Sequence, residues 1–165
     1  MGNIYLTGMM GCGKSAVGRA VAQKTKRKFF DIDACIERDE EKEISRIFEE
    51  QGESVFRRME TDMLRRIVQS EDNAIVSCGG GIVLADENIR LMCESGVIVY
   101  IERDIEEIAG QVDIKNRPVL KDDKSNIEKV FKERRARYES TCHYRICNDK
   151  EIGDAADSLI TLLQL

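Results

Sequence analysis

Tryptophan is absent from the chain, and it has one proline and one histidine. A single histidine, with no pair of cysteines spaced C-x-x-C, excludes the common zinc centres. Cys142, His143 and Cys147 are close in sequence but lack a fourth ligand. No apolar run approaches the roughly 18 residues of a membrane span. No charged leader followed by a long apolar stretch opens the chain, so no secretory signal is expected. Basic charge is not in excess: 26 Lys and Arg stand against 31 Asp and Glu, a net charge of −5. That balance excludes a broad basic surface for nucleic acid, while leaving room for a local basic pocket. Six cysteines without a disulfide pattern read as reduced thiols, and the expected location is cytoplasmic. What is present is a globular composition, 42% apolar and 35% charged over 165 residues. With no repeat and no Pro/Gly linker, it fits one domain spanning 1–165.

Short apolar runs alternate with amphipathic segments. Strands are expected at Asn3–Thr7, 28–32, 74–77, 97–101 and Tyr144–Cys147. Helices are expected at 15–24, 34–69 with a break near Gly52, 87–95, from about 104, 126–139 and 153–165. Gly96 reads as a helix stop. Phe56, Met59, Met63, Leu64 and Ile67 recur at three- and four-residue intervals, marking one buried helix face. Residues 113–125 are polar, hold the only proline and read as a loop. This alternation predicts an α/β fold, a parallel sheet with helices on both faces.

Gly8-Met9-Met10-Gly11-Cys12-Gly13-Lys14-Ser15 matches G-x-x-x-x-G-K-[ST] between an expected strand and an expected helix, the context a phosphate-binding loop requires. Glycines let successive N–H groups turn toward one anion, and the helix adds its positive end. Lys14 is placed to reach the β- and γ-phosphates, and the Ser15 hydroxyl to ligate Mg²⁺. Ala16 stands where many such loops carry a second hydroxyl. The loop names a nucleotide but no acceptor. The chain is short for a motor or transport ATPase and has no N-K-x-D guanine motif. A small-molecule kinase is the leading class.

Other residues bear on the acceptor. Asp31 and Asp33 sit at the end of the second strand, where the crevice of an open parallel sheet lies. If that segment is extended, the two carboxylates point the same way; the competing reading makes Asp33 a helix cap. Arg57 and Glu60 are one helical turn apart, which would hold the guanidinium as a fork for a carboxylate or phosphate. A solvated helix face is the alternative for Arg57 and Arg58. Gly79, Gly80 and Gly81 follow a strand and can bring bare backbone to a ligand. Arg117, on the polar loop, can close over a transferring phosphate. Arg134, Arg135 and Arg137 precede Tyr138 on a charged helix.

Taken in order, GMMGCGKS at 8–15, FDID at 30–33, FRRME at 56–60, CGGG at 78–81, NRPVL at 116–120 and RRARY at 134–138 resemble shikimate kinase. The resemblance covers nearly the whole chain. It implies a three-layer P-loop kinase fold with a five-stranded parallel sheet of order 2-3-1-4-5. It further implies a helical substrate-binding region at about 33–61 and a lid at about 112–125. The implied chemistry is transfer of the ATP γ-phosphate to the 3-hydroxyl of shikimate, in aromatic amino-acid biosynthesis, by a monomer. Lys14, Asp33 and Arg117 would be catalytic. Gly11, Cys12, Gly13, Lys14, Ser15, Ala16 and Arg117 would hold ATP. Asp33, Arg57, Gly79, Gly80, Gly81 and Arg134 would hold shikimate, Glu60 would orient Arg57, and Ser15 and Asp31 would serve Mg²⁺. Two departures stand out. Gly110 replaces an arginine that stacks on adenine in many members, so the adenine contact must come from elsewhere. Arg134-Arg135-Ala136-Arg137-Tyr138 lacks the proline of the family's R-x-P-x-Y. That leaves Arg134 or Arg135 as the carboxylate ligand, with Arg134 favoured by its spacing to Tyr138. The rival readings are another small kinase, such as gluconate kinase, and a catalytically silent nucleotide-binding regulator.

Overall fold

The computed structural model of the chain describes residues 2–111 and 126–165. The proposed lid, 112–125, lies outside the described residues. Five strands and eight helices alternate among the described residues: β1 (Asn3–Thr7), α1 (Lys14–Thr25), β2 (Phe29–Asp31), α2 (Ile32–Glu40), α3 (Ile44–Gln51), α4 (Glu53–Ser70), β3 (Ile75–Ser77), α5 (Asp86–Ser95), β4 (Gly96–Glu102), α6 (Ile105–Gln111), α7 (Asn126–Thr141), β5 (Tyr144–Cys147) and α8 (Ile152–Leu163). A 3₁₀ turn, Ile82–Leu84, joins β3 to α5. The strands form one parallel sheet, β2-β3-β1-β4-β5, the order the resemblance implies.

Successive strand side chains point to opposite faces, and here each face has its own core. Ile4 and Leu6 of β1, Val99 and Ile101 of β4 and Ile146 of β5 pack with Val17 and Val21 of α1 and Leu159 of α8. Tyr5, Val76, Ile98 and Tyr100 pack with Phe56, Leu64 and Ile67 of α4 and Met92 of α5. Because both faces are covered, β1 and the middle of β4 can be continuous apolar runs. The periodic face read from α4 is the buried one.

Expected and observed boundaries agree within a few residues, with two differences. Residues 34–69 break twice rather than once. Besides Gly52, α2 ends at Glu41 in the left-handed region (φ 53°), and α3 begins three residues later. There the Glu37 carboxylate accepts the Ile44 N–H at 3.0 Å. Gly96 is also more than a helix stop, since it is the first residue of β4. Its φ of 172° is ordinary extended backbone. What requires glycine is proximity: a Cβ there would lie 1.9 Å from the carbonyl oxygen of Asn3, its partner in β1. We predict that Gly96→Ala forces β4 away from β1 and costs about 2–3 kcal/mol of stability, in the range of core overpacking. A denaturant titration with an unchanged midpoint would contradict this.

Candidate active site

Every strand of a parallel sheet ends on the same edge, and the candidate site is built there. The chain leaves β1 at Thr7, crosses the glycine loop and enters α1 at Lys14. Gly13, the N-cap of α1, has φ 96°, a conformation that side chains disfavour. The free N–H groups of the first turn of α1 therefore open onto a cavity of about 560 Å³. Gly11, Gly13, Lys14, Ser15 and Ala16 all contribute to its wall. Cys12 is buried behind it. The Lys14 ammonium donates to the carbonyls of Gly8 and Met9, at 3.0 and 2.9 Å, so the cation is tied to the loop it serves.

Across the cavity stand Asp31 and Asp33. They come together in a different way from the extended arrangement expected. β2 ends at Asp31, whose side chain caps α2 by accepting the Ala34 N–H at 3.3 Å. Asp33 lies in the first turn of α2, so Asp31 is the cap and Asp33 is not. The Ser15 hydroxyl donates to Asp31 Oδ2 and lies 3.1 Å from the Ser77 hydroxyl. This pair of oxygens suits Mg²⁺, a hard cation that takes one or two protein oxygens and fills its shell with water and phosphate. Ser77, the last residue of β3, was missed in the sequence. Its only signal was a hydroxyl just before the glycine run.

On α4, Arg57 Nη1 donates to Glu60 Oε2 at 2.5 Å, and Nη2 donates to Glu53 at 3.0 Å. Arg57 is 21% exposed, whereas its neighbour Arg58 is on the surface. Glu60 is 0% exposed, and its Oε1 has no hydrogen-bond partner among the described residues. The glycine run makes this cluster possible. A Cβ on Gly79 would lie 2.2 Å from Glu60 Oε1, and one on Gly81 2.1 Å from Arg57 Nη1. Gly80 faces the cavity instead. Arg134, 5% exposed, reaches toward it, with Nη1 3.5 Å from where a Gly80 Cβ would be. Arg135 is exposed and paired with Glu139 at 2.8 Å. Burial thus adds to the spacing that favours Arg134, which is the inward-facing arginine of the two. Tyr138, stacked on Tyr100, donates its buried hydroxyl to the Gly80 carbonyl at 2.5 Å. Arg117 lies outside the described residues.

Burial pushes the Glu60 carboxyl up to about 7; Arg57 opposes that shift, Asp33 adds to it and Arg134 opposes it. Burial works against the Arg57 cation, but Glu60 and Glu53 more than offset it and its pKa is raised. The arrangement offers a phosphate cradle, an oxygen pair for a divalent cation, a carboxylate at the cavity wall and two guanidinium groups beyond it.

The shikimate kinase family model matches residues 10–164. A shikimate kinase of Clostridium botulinum (strain Eklund 17B / Type B) is 38% identical, over 94% of this chain and 93% of its own. One from Pelotomaculum thermopropionicum is 39% identical, over 99% and 96%. Among solved structures, shikimate kinase from Acinetobacter baumannii in complex with shikimate is similar with a TM-score of 0.94 and 32% identity, covering 99% of this chain and 93% of the other. A gluconokinase from Sinorhizobium meliloti, 14% identical, shares the fold with a TM-score of 0.61, covering 99% and 91%.

The buried carboxyl carries a prediction. Glu60 holds its proton more tightly folded, at about 7, than unfolded, at 4.5. Its protonated form is therefore favourable below the unfolded value, and that contribution is lost as pH rises through the folded one. We predict that wild-type stability falls by up to about 3 kcal/mol from this group between pH 4.5 and 7. Glu60→Gln should lack that slope. Denaturant melts at several pH values check it, and parallel pH profiles for the two proteins would refute it.

Proposed function

The chain belongs to the shikimate kinase family of ATP-dependent phosphotransferases, and from that premise we propose that it transfers the γ-phosphoryl group of ATP to the 3-hydroxyl of shikimate, giving shikimate 3-phosphate and ADP. One observation carries this reading: Asp33, Arg57 and Arg134 converge on the glycine run beside the cavity of the phosphate loop. A hydroxylated carboxylate needs that combination, cations for its carboxylate and an acceptor for one hydroxyl proton.

In the proposed mechanism, the loop amides and Lys14 hold the β- and γ-phosphates. Ser15 would hold Mg²⁺ and Asp31 would order its water shell, and the ion would supply charge neutralisation at the phosphate oxygens. Arg57 and Arg134 grip the shikimate carboxylate, Glu60 keeps the Arg57 fork in place, and Gly80 leaves room for the ring. Asp33 faces the 3-hydroxyl and takes its proton as the oxygen attacks phosphorus. The bond to the β-phosphate oxygen breaks and ADP leaves with the charge. Positioning and charge stabilisation do most of the work. Arg117 adds a cation from the lid at 112–125. The substrate-binding region is the helical segment at about 33–61 within a single domain. The enzyme works as a cytoplasmic monomer, and no helix among the described residues is long and apolar enough to cross a membrane.

The test is ADP release with ATP and Mg²⁺ alone, with shikimate and with gluconate. We predict release that depends on shikimate. Gluconate-driven release would reassign the substrate, and no release with any acceptor would favour a silent regulator. Arg57→Ala should raise the KM for shikimate, with a loss of about 2–5 kcal/mol for a buried charge pair, and change that for ATP far less. Equal effects on both substrates would place Arg57 outside the acceptor site. Asp33→Asn should lower kcat by about 10²-fold or more.

A further inference from the structure

We propose that Asn148 is a positioning residue for nucleotide: its side-chain amide holds the Cys12–Gly13 peptide so that the Gly13 N–H faces the phosphates. The inference rests on the phosphate-loop reading above and adds a residue from the far end of the chain. Asn148 directly follows β5, and its N–H donates to the Glu102 carbonyl at 2.8 Å, continuing the pairing of β5 with β4. Its side chain is 4% exposed, and Nδ2 donates to the Cys12 carbonyl at 2.8 Å.

The chemistry follows from peptide planarity. Cys12 C=O and Gly13 N–H belong to one peptide unit, and no cis bond occurs among the described residues. In a trans peptide the two groups point in opposite directions. Anchoring the carbonyl on Asn148, behind the loop, therefore turns the Gly13 N–H away from Asn148. Gly13 lines the cavity and Cys12 is buried behind it, so that direction leads to the ligand. Gly13 is also matched to this contact, since a Cβ on it would lie 2.3 Å from Asn148 Nδ2.

A purely structural asparagine would use both ends of its amide. Asn148 Oδ1 is buried and has no hydrogen-bond partner among the described residues. The side chain is placed for its one donor, at the expense of an unpaired acceptor. What that donor holds is the loop that meets the phosphates.

The test compares the full-length protein with Asn148→Ala and Asn148→Asp, the second keeping the shape and losing the donor. ADP and shikimate are titrated separately by calorimetry, with thermal midpoints recorded, and the Gly13 amide proton is followed by NMR. Both variants should bind ADP about tenfold more weakly, the scale of one lost fixed hydrogen bond, with shikimate affinity unchanged. The shift of the Gly13 amide on adding ADP should shrink in both. Unchanged ADP affinity, or equal weakening toward both ligands, overturns the proposal. Loss of the fold in both variants assigns Asn148 to the fold and also overturns it. If the unsubstituted protein fails to bind ADP, the phosphate-loop reading falls and this inference with it. If it binds and only the variants behave as wild type, this inference alone fails.

Discussion

Parallel pairing is the constraint from which the site follows. Five strands aligned in one direction deliver their C-terminal ends to a single edge, and four of them arrive with something different. β1 brings the glycine loop, β2 brings Asp31, β3 brings Ser77 and the glycine run, and β5 brings Asn148. The central position of β1 puts the phosphate loop between the acidic residues after β2 and the asparagine after β5. Parallel strands need long crossovers, and the helices that provide them cover both faces of the sheet. The same helices supply Arg57, Glu60 and Arg134. Fold and site are consequences of one connectivity.

The cluster at the glycine run is poor design for stability alone. A carboxyl at 0% exposure is held beside a guanidinium, with one oxygen left without a partner among the described residues. Replacing buried ion pairs by apolar groups of similar volume is often neutral or stabilising, so such a pair is weak evidence for a stability role. Gly79 and Gly81 sharpen the point. They give up side chains that could pack, and the space is filled by the ends of Glu60 and Arg57. The backbone here is shaped around a charged pair rather than around apolar packing.

Much of this was legible in the sequence because it depends on local pattern. The order of elements follows hydrophobic periodicity, and the phosphate loop follows a contiguous motif. The Arg57–Glu60 pair follows from helical spacing on α4. The less legible features depend on what approaches from elsewhere in the chain. Asp31 and Asp33 were paired by assuming an extended segment. They share a cavity because Asp31 caps α2 and Asp33 sits in its first turn. Gly96 looked like punctuation after α5, and its reason is the backbone of Asn3, distant in sequence. Arg134 and Arg135 are equivalent in composition and separated by burial, a tertiary property. Asn148 carries no motif at all, because its partner is a carbonyl oxygen that every residue possesses.

That last case points to how a site made of backbone is kept in order. A loop that offers N–H groups to an anion turns its carbonyls the other way, and buried carbonyls need donors. In this chain several of the donors are side chains. Lys14 takes the Gly8 and Met9 carbonyls, Asn148 takes that of Cys12, and Tyr138 takes that of Gly80 in the glycine run. Each contact satisfies a carbonyl and also fixes the plane of a peptide whose N–H lies on the other side. Glycine permits the unusual turns, but permissive backbone alone would leave those N–H groups poorly aimed. The side chains behind the loops supply the direction, so their loss should register in ligand affinity before it registers in the fold.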